Sequence, residues 1–97
     1  MIRAAPLLAL LVSAAAHAQG AQPRDHIREC MACHGEEGIA KDKDVPHLAG
    51  QNFEYLLKQM HDFRAGRRAH REMRVMSRQM TDAEMREIAA FFASLPR

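Results

Sequence analysis

Two cysteines are all this chain has, and no stretch of its 97 residues alternates apolar and polar side chains as a half-buried strand would. The missing strands exclude the βαβ setting in which a C-x-x-C pair performs thioredoxin-type redox chemistry. The missing second pair of thiols or imidazoles at ligand spacing argues against a zinc site. Internal repeats and low-complexity segments are absent as well. Lys and Arg number 14 against 12 Asp and Glu, so net charge by itself points to no partner.

What the chain does have is Cys30-Met31-Ala32-Cys33-His34. C-x-x-C-H is the pattern of covalent haem attachment: two thiols for the two vinyl groups on one porphyrin edge, and an imidazole close behind them for the iron. On a helical turn, positions 30, 33 and 34 stand at i, i+3 and i+4, so the three side chains leave from one face. A plain disulfide between Cys30 and Cys33 would close a loop too small to constrain the unfolded chain. A haem-free thiol-disulfide or zinc protein remains the reading opposed to haem attachment.

Residues 1–18 read as a secretory signal peptide, with Arg3 as the charged start, Leu7 to Val12 as the apolar centre and Ala16-His17-Ala18 as the cleavage box. The apolar centre is too short to span a bilayer. The alternative is an uncleaved membrane anchor. Cleavage leaves residues 19–97, one small exported domain with basic and acidic side chains nearly balanced and Gln19 in first place. A domain of that size buries little surface and normally needs a staple, a metal or a cofactor, a role that a haem would fill.

The helical signals are three. Asp25 to Cys33 forms a helix delivering the motif. Glu36 to Gly50, with Gly38, Pro46 and Gly50 among charged residues, is a loop. Asn52 caps a second helix with Phe53, Leu56, Leu57 and Met60 on one face, stopped by Gly66. Thr81-Asp82-Ala83-Glu84 is a capping box opening a third helix with Met85, Ile88, Ala89 and Phe92 on its buried face, ended by Pro96.

These features together resemble a class I c-type cytochrome of the small bacterial periplasmic single-haem type, and also one half of its two-haem relatives. Pro46-His47-Leu48-Ala49-Gly50-Gln51 is similar to the family's P-x-L-x-G-Q segment. Tyr55, Phe63, Gly66 and Arg68 match its Q-x-x-x-Y-L…F-x-x-G-x-R run, and Ile88-Ala89-Ala90-Phe91-Phe92 matches its final helix. The resemblance implies an all-α fold with about three main helices wrapped around one covalently attached haem c. It implies that iron is bound between His34 and a later methionine, with the Pro46 carbonyl accepting the proton on the other ring nitrogen of His34. Met60 and Met85 lie on apolar helix faces as core filler, and Met31 is too near His34. The family offset selects Met73, with Met76 second, and puts packing residues at Met76 and Met80. Between Arg68 and Met73, the chain lacks the Asn and Pro often carried by the family. It also lacks a small residue between Arg24 and Glu29 where the last helix crosses the first, leaving Phe91 or Phe92 to cover Ile27.

A His/Met pair favours the reduced iron and raises the potential. With both axial positions filled, no coordination site is open to substrate, so the resemblance implies an electron carrier or electron-transfer subunit and not an enzyme. Its partners would be redox proteins such as a dehydrogenase, an oxidase or another cytochrome, with the protein a monomer or a subunit of a complex. A haem sensor or peroxidase-like protein with a labile sixth ligand is the second class. Arg64, Arg67, Arg68, Arg71, Arg74 and Arg78 crowd residues 64–78 with one acid, Glu72. They form either a docking patch for an acidic partner or a solvated face partly spent on the haem propionates. Nucleic acid is not an expected partner of an exported protein. His26, His47, His61 and His70 are expected to be exposed or hydrogen-bonded and not to be ligands.

Overall fold

The computed structural model describes residues 2–8 and 23–97. Four helices, and no strand, occur among these residues: α1 (Pro23–His34), α2 (Phe53–Ala65), α3 (Arg71–Arg78) and α4 (Asp82–Ser94). Residues 2–8 of the expected signal carry no regular secondary structure. The cleavage box Ala16-His17-Ala18 and Gln19 lie outside the described residues. Among the described residues, no helix is long and apolar enough to cross a membrane.

Local chemistry sets the helix ends. The Asn52 side chain accepts the Tyr55 N–H at 3.1 Å and starts α2, while Gly66, at φ 79°, takes the left-handed turn that stops it. Thr81 Oγ1 accepts the Glu84 N–H at 3.1 Å and Glu84 Oε1 accepts the Thr81 N–H at 3.1 Å, a complete capping box at the head of α4.

Helix α3 was not among the three expected. It is only eight residues long and its N-cap is His70, a residue type that gives no capping signal in a sequence. The His70 ring accepts the Met73 N–H at 3.3 Å. Read with hindsight, Met73, Met76, Ser77 and Met80 stand at i, i+3, i+4 and i+7, and the dense arginines between them mask that period.

Helix α2 packs on α3 and α4, and α1 packs on α4. The core is Leu56 and Met60 of α2, Met80, and Met85, Ile88, Ala89 and Phe92 of α4. Ile27, Cys30 and Met31 of α1 pack against it, so the turn bearing the motif is clamped to the core. Ala89 of the last helix is wholly buried. Beside this packing, His26 is also buried, its Nε2 2.9 Å from Glu84 Oε2. Glu84 thus joins the capping box to the buried face of α1.

Three carboxylates are held below their usual range: Asp62 by hydrogen bonds from Lys58 and Arg67, Asp82 by Arg64, and Glu84 chiefly by the Thr81 backbone N–H. Each contributes stability that is complete above the ordinary carboxylate range and is lost as pH falls through the lowered folded value. The thermal midpoint is therefore expected to drop below about pH 4. An Asp62→Asn variant will show a shallower acid limb. Equal slopes in the two proteins would show that Asp62 plays no part.

Candidate functional site

The last turn of α1 brings Cys30, Cys33 and His34 to the end of the helix, where the chain must leave sharply if His34 is to face the loop behind it. Gly35 makes that exit at φ 91°, its N–H donating to the Met31 carbonyl at 2.9 Å. A Cβ at Gly35 would stand 2.0 Å from the Ile39 carbonyl oxygen, so no other residue fits without moving the loop. Gly35→Ala is accordingly expected to cost more than about 1 kcal/mol, since it combines a disfavoured backbone region with a backbone clash. Thermal unfolding of the purified variant checks this, and an unchanged midpoint would contradict it.

The loop returns under His34 through its own hydrogen bonds. The Gly38 carbonyl accepts the N–H groups of Leu48 at 2.8 Å and Ala49 at 3.0 Å, and the His47 ring accepts the Ala40 N–H at 2.8 Å through Nδ1. These bonds place the Pro46 carbonyl 2.8 Å from Nδ1 of His34. His34 donates that bond, which leaves Nε2 as the nitrogen with a free lone pair. The imidazole is only 8% exposed, and burial holds it below the usual histidine range, against the opposing pull of the Pro46 carbonyl. His70 pushes it down further.

Cys30 is half-buried against the core and Cys33 is exposed. Burial pushes the Cys30 thiol up to about 11. A Cys30 thiol held protonated in this way is a poor nucleophile for disulfide exchange. No group of three or more His, Cys, Asp or Glu among the described residues is arranged to hold a metal ion directly.

The methionines separate by environment. Met60, Met80 and Met85 belong to the core cluster, while Met31 and Met76 pack against it. Met73 stands outside that cluster, half-buried on the same face of α3 as Met76 and the buried Ser77. Core packing thus leaves its thioether uncommitted. Among the described histidines outside the motif, His26 lies beside Glu84, His47 is on Ala40, His61 Nε2 is 3.6 Å from Asp82, and His70 is the α3 cap. Complete burial of His26 was not legible beforehand, because a histidine in a first helix turn reads as surface.

The donor set fits a covalently held haem: two thiols and an imidazole on one helical turn, the imidazole oriented by a backbone carbonyl, and a soft thioether on α3.

Comparison with known proteins agrees with this chemistry. A family model described as Cytochrome c matches residues 18–96. Cytochrome c4 of Pseudomonas aeruginosa is 42% identical over 90 residues, which cover 91% of this chain and 45% of that protein. A thiosulfate dehydrogenase electron acceptor of Stutzerimonas stutzeri is 38% identical over 80 residues, covering 79% of this chain and 37% of its own length. The solved structure of Acidithiobacillus ferrooxidans cytochrome c4 superposes with a TM-score of 0.65 at 36% identity, over 68% of this chain and 38% of that one. The chain therefore spans less than half the length of these relatives. A helical fold shared with cytochrome c4, a family match over all four described helices and a C-x-x-C-H turn whose histidine is set against a backbone carbonyl lead to one assignment: the chain belongs to the cytochrome c family, whose cofactor is covalently attached haem c.

Proposed function

We propose that the protein is a periplasmic single-haem electron carrier, exported by residues 1–18 and working as residues 19–97. The observation that carries this reading is the His34 imidazole, fixed through Nδ1 to Pro46 at 2.8 Å with Nε2 left to bind iron, on the turn that also holds both cysteines. Haem c supplies an iron that gains and loses single electrons. Cys30 and Cys33 would hold it through thioether links, which would keep it in place when its charge changes. The Pro46 carbonyl keeps the His34 proton on Nδ1 and so makes Nε2 the better donor. Met73 would offer the iron a soft thioether, a donor that favours the ferrous state. Ala89, Met85 and Phe92 keep water from the packed side of α4.

With His34 and Met73 both given to the iron, no coordination position would be left for a substrate, which is the chemistry of a carrier. Electron exchange with other redox proteins is the corresponding partnership, and a relative named as an electron acceptor for thiosulfate dehydrogenase supports it. The deciding experiment is the visible spectrum of the protein expressed in a periplasm with haem attachment, followed by addition of carbon monoxide to the reduced form at neutral pH. A haem spectrum that survives denaturation and resists carbon monoxide is expected. Rapid, complete carbon monoxide binding would transfer the protein to the sensor or peroxidase-like class.

A further inference from the structure

The six arginines of residues 64–78 are not one patch. Arg64 is paired with Asp82 at 2.6 Å, Arg67 with Asp62 at 2.8 Å, and Arg68 donates to Gln59 at 2.8 Å with its guanidinium 4.6 Å from the centre of the Phe63 ring. These three fasten α2 to its surroundings. Arg71, Arg74 and Arg78 have no ion-pair or hydrogen-bond partner for their guanidinium groups among the described residues, and all three are exposed. The one acid of α3, Glu72, turns to the His70 ring, 3.5 Å away.

Helical spacing assembles what is left. Arg71, Arg74, Val75 and Arg78 fall at i, i+3, i+4 and i+7, one stripe along α3, with Val75 half exposed between the guanidinium groups. Met73, Met76 and Ser77 occupy the other side of the same helix. A small apolar centre ringed by arginines, with the nearby carboxylates Asp62 and Asp82 already engaged, has the composition of a protein interface waiting for opposite charge.

We propose that the outer face of α3, centred on Val75 and bounded by Arg71, Arg74 and Arg78, is the docking surface for the acidic face of a redox protein partner. This rests on the electron-carrier reading above. Met73 is on α3 itself, so a partner seated there is separated from the axial thioether by about one helix width, roughly 10 Å. Unpaired guanidinium groups are suited to carboxylates because their planar fork meets two oxygens at once. Pairing them with a partner is also cheaper than pairing the other three, since no existing intramolecular bond is broken.

The test uses the haem-loaded protein labelled for amide NMR and a short oligoglutamate peptide as the probe. Shifts centred on residues 71–78 are expected at low salt, lost in Arg71→Glu/Arg74→Glu/Arg78→Glu and retained in Arg24→Glu/Arg28→Glu/Arg86→Glu, which changes charge equally on α1 and α4. Oxidation of the reduced protein by ferricyanide, an anion, is expected to slow about tenfold in the first variant, with the difference vanishing at high salt. Shifts centred elsewhere, or equal loss in both variants, would overturn the proposal. So would binding to phosphatidylglycerol vesicles without binding to oligoglutamate, because the face would then be directed to a membrane. A slowed oxidation fully explained by a changed midpoint potential would assign the arginines to the haem propionates and overturn it likewise. Failure of the carrier reading is separate: it appears as a wild-type spectrum without covalent haem, which the peptide titration does not measure.

Discussion

Met73→Ala is expected to abolish the weak near-infrared band of thioether-bound ferric haem, to lower the reduction potential and to open the reduced iron to carbon monoxide. The drop in potential should be a sizeable part of the ~0.8 V range over which axial ligands set haem potentials, because a soft donor to ferrous iron is exchanged for water or none. The structure sharpens the contrast with its neighbours. Met80 is 5% exposed in the core cluster, so Met80→Ala removes packing and should cost about 2 to 5 kcal/mol while leaving the band intact. Met76, which packs against the cluster from a half-buried position, should cost less and also keep the band. If Met76→Ala loses the band and Met73→Ala retains it, the ligand moves one turn along α3 and the carrier reading survives. If none of the three variants affects it, a His/Met centre on this segment is excluded.

Replacing both cysteines is expected to have the other large effect. Cys30→Ala/Cys33→Ala should release all its haem on acid-acetone extraction, whereas the wild type should keep it. Without haem the chain is expected to be largely unfolded. Its core cluster is Leu56, Met60, Met80, Met85, Ile88, Ala89 and Phe92, too little buried surface to offset the chain entropy of a domain this small. Circular dichroism of protein made without haem attachment checks this, and a cooperative thermal transition in the apoprotein would refute it. Wild type that loses its haem on extraction would refute the thioether links.

Both predictions draw on a site whose parts were legible to different degrees. The spacing of Cys30, Cys33 and His34 is a property of one helical turn, and a turn is decided by neighbours in sequence. The same holds for Asn52, Gly66 and the Thr81-Glu84 capping box, whose partners lie three or four residues away. The Pro46 carbonyl was reached by resemblance to the family and not by such local rules. Its bond to His34 spans 12 residues of loop and depends on Gly35, Gly38 and His47 bending that loop back.

Sequence by itself thus determined the attachment turn and three of the four helices, because each follows from interactions within about one turn of helix, whereas the choice of a methionine donor came from the family resemblance. Tertiary structure alone decided that a short α3 forms behind a histidine cap and that Met73, among the described methionines, neither joins the core cluster nor packs against it. It also decided that His26 is buried against Glu84 and that three of six crowded arginines are already paired. The short α3 was hidden for a local reason, because histidine gives no capping signal in a sequence. The burials and the long-range pairing depend on which surfaces meet when the helices pack together, and a chain separation such as the 18 residues from Arg64 to Asp82 carries no local signal.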